Sequence, residues 1–323
     1  MAAATDQPAP KLVNLRQVPS ASLDDLLEEE IGEWMARFHW DFRPSASLVR
    51  RYAAAGSLYG YVLQLAGQTA GYVYYVYEDR KGLIGDLYIR KKSYATDHEV
   101  SLLRAAVEDL FEAFGVLRIE SQVLLLKAPG RCALPFAERL SVYPRFFMTY
   151  ELGRVQRLPP HPSARKTLVL NWSPQHQEEA ARLIAAAYAR HVDSQVNDQY
   201  RSVGGARRFL HNIVQYPGCG SFFPAASLVA WDPFAGRMCG ICLASTLSPG
   251  TGHITQICVL PEYQGTGTGY ELLRRCLLAL QESRYTRASL TVTAANEHAV
   301  RLYESVGFRV SHEFSALVWE QPQ

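Results

Sequence analysis

Strand and helix patterns alternate along all 323 residues, which predicts an α/β protein, and the length favours two domains. Three observations carry this expectation. An alternating run over 253–260 feeds through a glycine-rich turn into a helix beginning Tyr270-Glu271-Leu272-Leu273. A short strand over 290–293 is followed by an amphipathic helix over 296–308, with Asn296 suited to its N-cap and Gly307 to its C-terminal stop. The first half repeats the same order of elements in weaker form, which reads as an internal duplication.

In the first half, a strand is expected over 11–18, a helix over 23–38 and strands over 58–66 and 69–77. Gly85-Asp86-Leu87-Tyr88-Ile89 continues as a strand, followed by a helix over 97–114 and a strand over 117–125. Residues 154–166 are basic and carry Pro159, Pro160 and Pro162, which bar regular helix or central strand and read as a linker. Beyond it come a strand over 167–171, an alanine-rich helix over 174–190, and a loop holding His191, Asp193, Asp198 and Tyr200. A helix over 204–215 follows, then strands over 226–231 and 237–246 joined by a turn at 232–236. The expected division is a loose tail over 1–10, a first domain over 11–153, a linker over 154–166 and a second domain over 167–323.

Composition narrows the function classes. A net charge of +2, from 33 basic and 31 acidic residues, gives no argument for nucleic acid or an anionic membrane as partner. The first ten residues lack a basic start and an apolar stretch, and no apolar run approaches a bilayer span. The six cysteines are sparse and irregular. Cys239 and Cys242 have the spacing of a redox or zinc pair, but they fall in a strand, where residues three apart point to opposite faces. Free thiols, no metal site and a reducing, cytoplasmic compartment are therefore expected.

Chemistry concentrates in the glycine turn. Gly265, Gly267 and Gly269 let backbone amides converge without side-chain obstruction, and the helix behind them adds its orphan amides and positive dipole end. A pyrophosphate suits that arrangement. Two commoner phosphate loops are excluded: no Gly-Lys-Ser/Thr is present, and Tyr270 occupies the last glycine position of a dinucleotide fingerprint.

Val259, Pro261, Gln264, Gly265, Gly267 and Gly269, followed by Asn296, Ala299, Leu302, Tyr303, Gly307 and Phe308, fill every element of a two-part pattern. On those residues the chain resembles the GCN5-related N-acetyltransferase (GNAT) family. The resemblance implies tandem acyl-coenzyme A N-acyltransferase domains of α+β type on mixed sheets, with acetyl-coenzyme A as acyl donor and no metal. It places the pantetheine arm on Ile257, Cys258 and Val259, where a break in strand pairing leaves backbone groups free. It places the pyrophosphate on Gln264, Gly265, Thr266, Gly267, Thr268, Gly269 and Tyr270, and a further coenzyme contact on Asn296. Tyr303 becomes the proton donor to the departing thiolate. The implied reaction is direct attack of a primary amine, on a small molecule or peptide, within a ternary complex. A non-catalytic acyl-coenzyme A-binding or sensing protein is the alternative. The two-domain length with one active copy is also similar to the architecture of mycothiol synthases.

The general base stays open. Several relatives place a glutamate on one of the splayed strands, where this chain offers Gln256, Thr291 and Thr293. His253 is four residues from Ile257, about 13 Å along an extended strand. His191 and Asp193 are better placed, and a water chain positioned by Gln256 is a further option. In the first half, Ala95, Asp97 and Glu99 stand where the second half has its glycines, and carboxylates there would repel a pyrophosphate. Thr96 and Glu99 read instead as a capping box, so one coenzyme site per chain is expected.

Overall fold

The computed structural model describes residues 9–127, 134–162, 167–216 and 218–321. The tail expected over 1–10 lies outside the described residues except for its last two, as do Cys132 and the end of the expected linker.

The first half comprises β1 (Lys11–Asn14), α1 (Asp24–Phe38), α2 (Arg43–Ala54), β2 (Tyr59–Leu65), β3 (Gln68–Glu78), β4 (Lys81–Ile89), α3 (Thr96–Glu112), β5 (Arg118–Ser121) and β6 (Leu140–Glu151). The second comprises β7 (Leu168–Asn171), α4 (Gln177–Tyr188), α5 (Asp193–Val196), α6 (Val203–Gln215), β8 (Ser221–Phe222), β9 (Leu228–Asp232), β10 (Arg237–Ser248), β11 (Thr251–Val259), α7 (Thr268–Glu282), β12 (Arg287–Thr293), α8 (Glu297–Val306) and β13 (Arg309–Glu320). Sequence reasoning passed over α2, although Pro44 in its first turn is a helix-start signal.

Two compact units result, and they differ from the contiguous domains expected. One takes residues 1–38, 42–143 and 314–323, the other 39–41 and 144–313. In the first unit, antiparallel β1, β2, β3 and β4 continue through parallel β5 to the C-terminal part of β13, where Leu317 faces Ser121. Trp319 anchors this last strand: it is fully buried, and its indole donates to the Pro135 carbonyl at 2.8 Å. In the second unit, the C-terminal part of β6 runs antiparallel to β12, with Leu290 facing Met148, and the sheet continues through β11, β10, β9 and β7. The boundary therefore falls inside β6 and β13, not at 154–166. β6 buries Leu140 in the core of the first unit and Met148 in that of the second, whereas β13 buries Leu317 and Trp319 in the first.

The duplication is visible in strand register. In the first unit β4 pairs in parallel with β5 over 81–84 and 118–121, then carries one extra residue, Gly85, against β3. In the second, β11 pairs in parallel with β12 over 251–254 and 287–290, then carries one extra residue, Thr255, against β10. Each bulge bends its strand away from its parallel neighbour.

Two local expectations need correction. The capping box at Thr96 and Glu99 does not form: α3 begins at Thr96 with Ala95 as N-cap, and Glu99 accepts the Lys127 amide at 2.9 Å instead. Thr96 lies one position too far into the helix to cap it. Cys239 and Cys242 do not face opposite ways, because Cys239 is the extra residue of a bulge against β9, so both thiols enter one core cluster. Both are free and buried, and no group of side chains suited to a metal exists among the described residues. No helix among them is long and apolar enough to cross a membrane.

Candidate active site

The bulge at Thr255 creates the site, which lies wholly within the second unit. Parallel pairing ends at Ile254 and Leu290, so residues 256–259 of β11 and 291–293 of β12 diverge. The opening leads into a cavity of about 350 Å³. Ile257, Cys258 and Val259 line it, together with Gln264, Gly265, Gly267, Gly269 and Tyr270 from the turn and helix. Asn296, Ala299, Leu302 and Tyr303 line it from α8 and the turn before it, and Tyr188 and His191 from the segment around α4. Two of the expected coenzyme contacts, Thr266 and Thr268, are not in the lining. Their hydroxyls bond each other at 2.9 Å, and Thr266 also donates to the Tyr263 carbonyl at 2.7 Å.

The turn leaves a helix start without a cap. Gly267 is the N-cap of α7, has φ 85°, and offers no side chain to the first turn, while Gly265 has φ 73°. The amides of Thr268, Gly269 and Tyr270 have no carbonyl four residues back within the helix. A Cβ on Gly269 would meet nothing nearer than Val259 Cγ1, at 3.9 Å. Donors, dipole and open space together fit an anionic group such as a diphosphate. In the first unit, tyrosines pack against the strand that carries the matching bulge. Tyr74 packs so tightly on Gly85 that an added Cβ would lie 2.2 Å from its ring. Tyr72 donates to Glu30 at 2.8 Å and to Asp86 at 3.4 Å, and burial raises the pKa of both acids, that of Asp86 to about 6.

Asn296 is the N-cap of α8, its Oδ1 accepting the Ala299 amide at 3.3 Å while the residue also lines the cavity. Tyr303 is buried, with its ring 5.9 Å from that of Phe308. Its hydroxyl makes no hydrogen bond among the described residues. Burial, with Cys242, Asp193 and Cys258 nearby, raises its pKa, so the phenol holds its proton at neutral pH. Burial also pushes the Cys258 thiol up to about 12, which makes it a poor nucleophile.

The candidate bases now separate. His253 does not line the cavity: its Nδ1 lies 2.9 Å from Ser289 Oγ, and burial with Arg145 nearby pulls its pKa down to about 3. It is a neutral core residue. Both ends of the Gln256 amide are engaged, Oε1 accepting from Tyr200 at 3.2 Å and Nε2 donating to the Tyr188 hydroxyl at 2.8 Å. The two tyrosine rings stack at 4.5 Å. His191 accepts the Asp193 amide on Nδ1 at 3.1 Å, and the same nitrogen lies 3.5 Å from the Asp193 carboxylate. Asp193 is the carboxylate tied to the splayed strand, through a short hydrogen bond from Thr293 on β12. Its charge is felt at Tyr188, Tyr200 and Tyr303.

Comparison with known proteins agrees with this geometry. The sequence model of the acetyltransferase (GNAT) family matches residues 194–308, which contain the splay, the glycine turn and α8. A mycothiol acetyltransferase of Acidimicrobium ferrooxidans is 38% identical over 105 residues, covering 31% of this chain and 33% of the relative. The match thus spans about a third of that curated protein. A GCN5-related N-acetyltransferase from Sphaerobacter thermophilus superposes with a TM-score of 0.68 at 17% identity, covering 96% of each chain. A tandem GNAT protein from the clavulanic acid biosynthesis pathway superposes with a TM-score of 0.56 at 13% identity, over 98% of this chain and all of that one. At such identities the structures establish shared fold, and that fold is the tandem GNAT arrangement. The segment that builds the cavity is thus the one that is similar to the GNAT family, residues 194–308.

Proposed function

We propose that the protein is an N-acetyltransferase that takes acetyl-coenzyme A as donor and a primary amine, on a small molecule or peptide, as acceptor. The observation that carries the reading is the splay between β11 and β12, opening onto a cavity bordered by an uncapped helix start. Free backbone groups at 257–259 would take the pantetheine arm as an added strand. The glycine turn and the first amides of α7 would hold the diphosphate, and Asn296 would add a contact while capping α8. The thioester supplies an activated acetyl group. Asp193, which stands beside the cavity lining rather than in it, takes the proton of the acceptor amine through water. Tyr303 donates a hydrogen bond to the sulfur as it gains negative charge. The high pKa of Cys258 argues against an acyl-cysteine step and supports direct attack.

A non-catalytic acyl-coenzyme A sensor is the second reading, favoured by Gln256 standing where several relatives carry a glutamate. Release of free thiol from acetyl-coenzyme A, screened across amines, aminoglycosides and peptide N-termini, separates the two. Acceptor-dependent release supports the enzyme, and binding with no release under any acceptor supports the sensor.

One coenzyme site per chain is expected, because the first unit has Asp97 and Glu99 in the first turn of α3 and tyrosines in its groove. Calorimetric titration with acetyl-coenzyme A should give a stoichiometry near one, and a value near two would assign a working site to the first unit.

A further inference from the structure

The proline-rich segment 152–162 is a strap along α7. Near the end of that helix, Gln281 donates to the Leu152 carbonyl at 2.9 Å and accepts from Gln156 at 2.7 Å. At its start, the Tyr270 hydroxyl donates to the Pro159 carbonyl at 2.8 Å. Pro159, Pro160 and Pro162 restrict the backbone between these anchors and beyond. The strap sets His161 directly on the glycine turn: a Cβ on Gly267 would stand 2.1 Å from His161 Nδ1. The ring centroid lies 6.0 Å from that of Tyr270, and His161 lines the same cavity as the three glycines.

Charge complementarity gives this placement a consequence. No lysine or arginine lines the cavity among the described residues, so its side chains able to carry positive charge are His161, His191 and His298. A helix start contributes only about half an elementary charge, whereas a diphosphate carries more than one negative charge. His161 is the histidine in contact with the glycine cradle.

We propose that His161 is a phosphate-binding residue, closing the cradle from the strap side so that a diphosphate lies between its imidazole and the amides of α7. The proposal rests on the coenzyme reading above and extends it to a residue outside the family-matched segment.

Isothermal titration of wild type, His161→Ala and His161→Gln with coenzyme A and with dephospho-coenzyme A tests it, thermal melts checking folding. The second ligand keeps the diphosphate and lacks the 3′-phosphate. Expected is a loss of about tenfold for His161→Ala with both ligands, partly recovered in His161→Gln, which keeps a hydrogen-bond donor. Unchanged affinity in His161→Ala would overturn the proposal, and so would tighter binding, which would make the strap a plug. A loss confined to coenzyme A would move His161 to the 3′-phosphate and equally overturn it. Failure of wild type to bind either ligand would sink the coenzyme reading itself.

Discussion

Gly269→Asp is expected to abolish coenzyme binding while leaving the protein as stable as wild type, or slightly more so. Gly267→Asp is the substitution that the sequence motif brings to mind, but it would confound two effects. Gly267 has φ 85°, which strains any side chain, and its Cβ would strike His161. Gly269 has neither problem. It lies within the first turn of α7, with only Val259 Cγ1 near its Cβ direction. An aspartate there gains about 0.3–1 kcal/mol from the helix dipole and removes the flexibility cost of glycine. Against a diphosphate the same carboxylate acts in the opposite sense. At about 5 Å and an effective dielectric near ~20, each unit of like charge costs about 3 kcal/mol, so affinity should fall by at least about a hundredfold. Titration with acetyl-coenzyme A and a thermal melt on the same sample check both halves. Retained affinity in a cooperatively melting variant would show that this helix start does not hold the phosphates.

The motif residues were legible in the sequence because their chemistry is local. Gly265, Gly267 and Gly269 exist to free backbone, and Asn296 caps the helix that carries Tyr303, so spacing along the chain fixes their geometry. The exchange of β6 and β13 was not legible. A strand's periodicity shows which residues it buries, not which sheet it joins, so the break was read at the prolines when it falls at residues 143/144 and 313/314. The bulges hid for a related reason. Thr255 and Cys239 are ordinary strand residues, and only the partner strand reveals that one of them is extra. His161 looked like a linker residue because its partner, Gly267, lies more than a hundred positions away. The loop over 191–200 could be placed by its position, but its hydrogen bonds could not: His191 accepts the Asp193 amide on Nδ1, and Asp193 accepts from Thr293.

Tyr303→Phe is expected to lower turnover by about 10²–10³, or ~2.7–4 kcal/mol, the usual cost of one hydrogen bond made to charge developing in a transition state. Coenzyme affinity should be nearly unchanged. The structure sharpens this expectation in two ways. First, the hydroxyl has no hydrogen-bond partner among the described residues, so removing it breaks nothing in the resting protein. The ring keeps its packing on Phe308, and the melting temperature should hold. Second, burial and the neighbouring Cys242, Asp193 and Cys258 raise the phenol pKa. The proton is therefore present at neutral pH, and full transfer to a thiolate of pKa near ~8.5 is strongly uphill. In the proposed reaction Tyr303 would therefore act as a hydrogen-bond donor to the sulfur, with solvent completing the protonation once the thiolate has left. Steady-state kinetics with an acceptor from the amine screen, beside melts of both proteins, decide the matter. Turnover within about twofold of wild type, with chemistry shown to be rate-limiting, would return Tyr303 to the core as a packing residue.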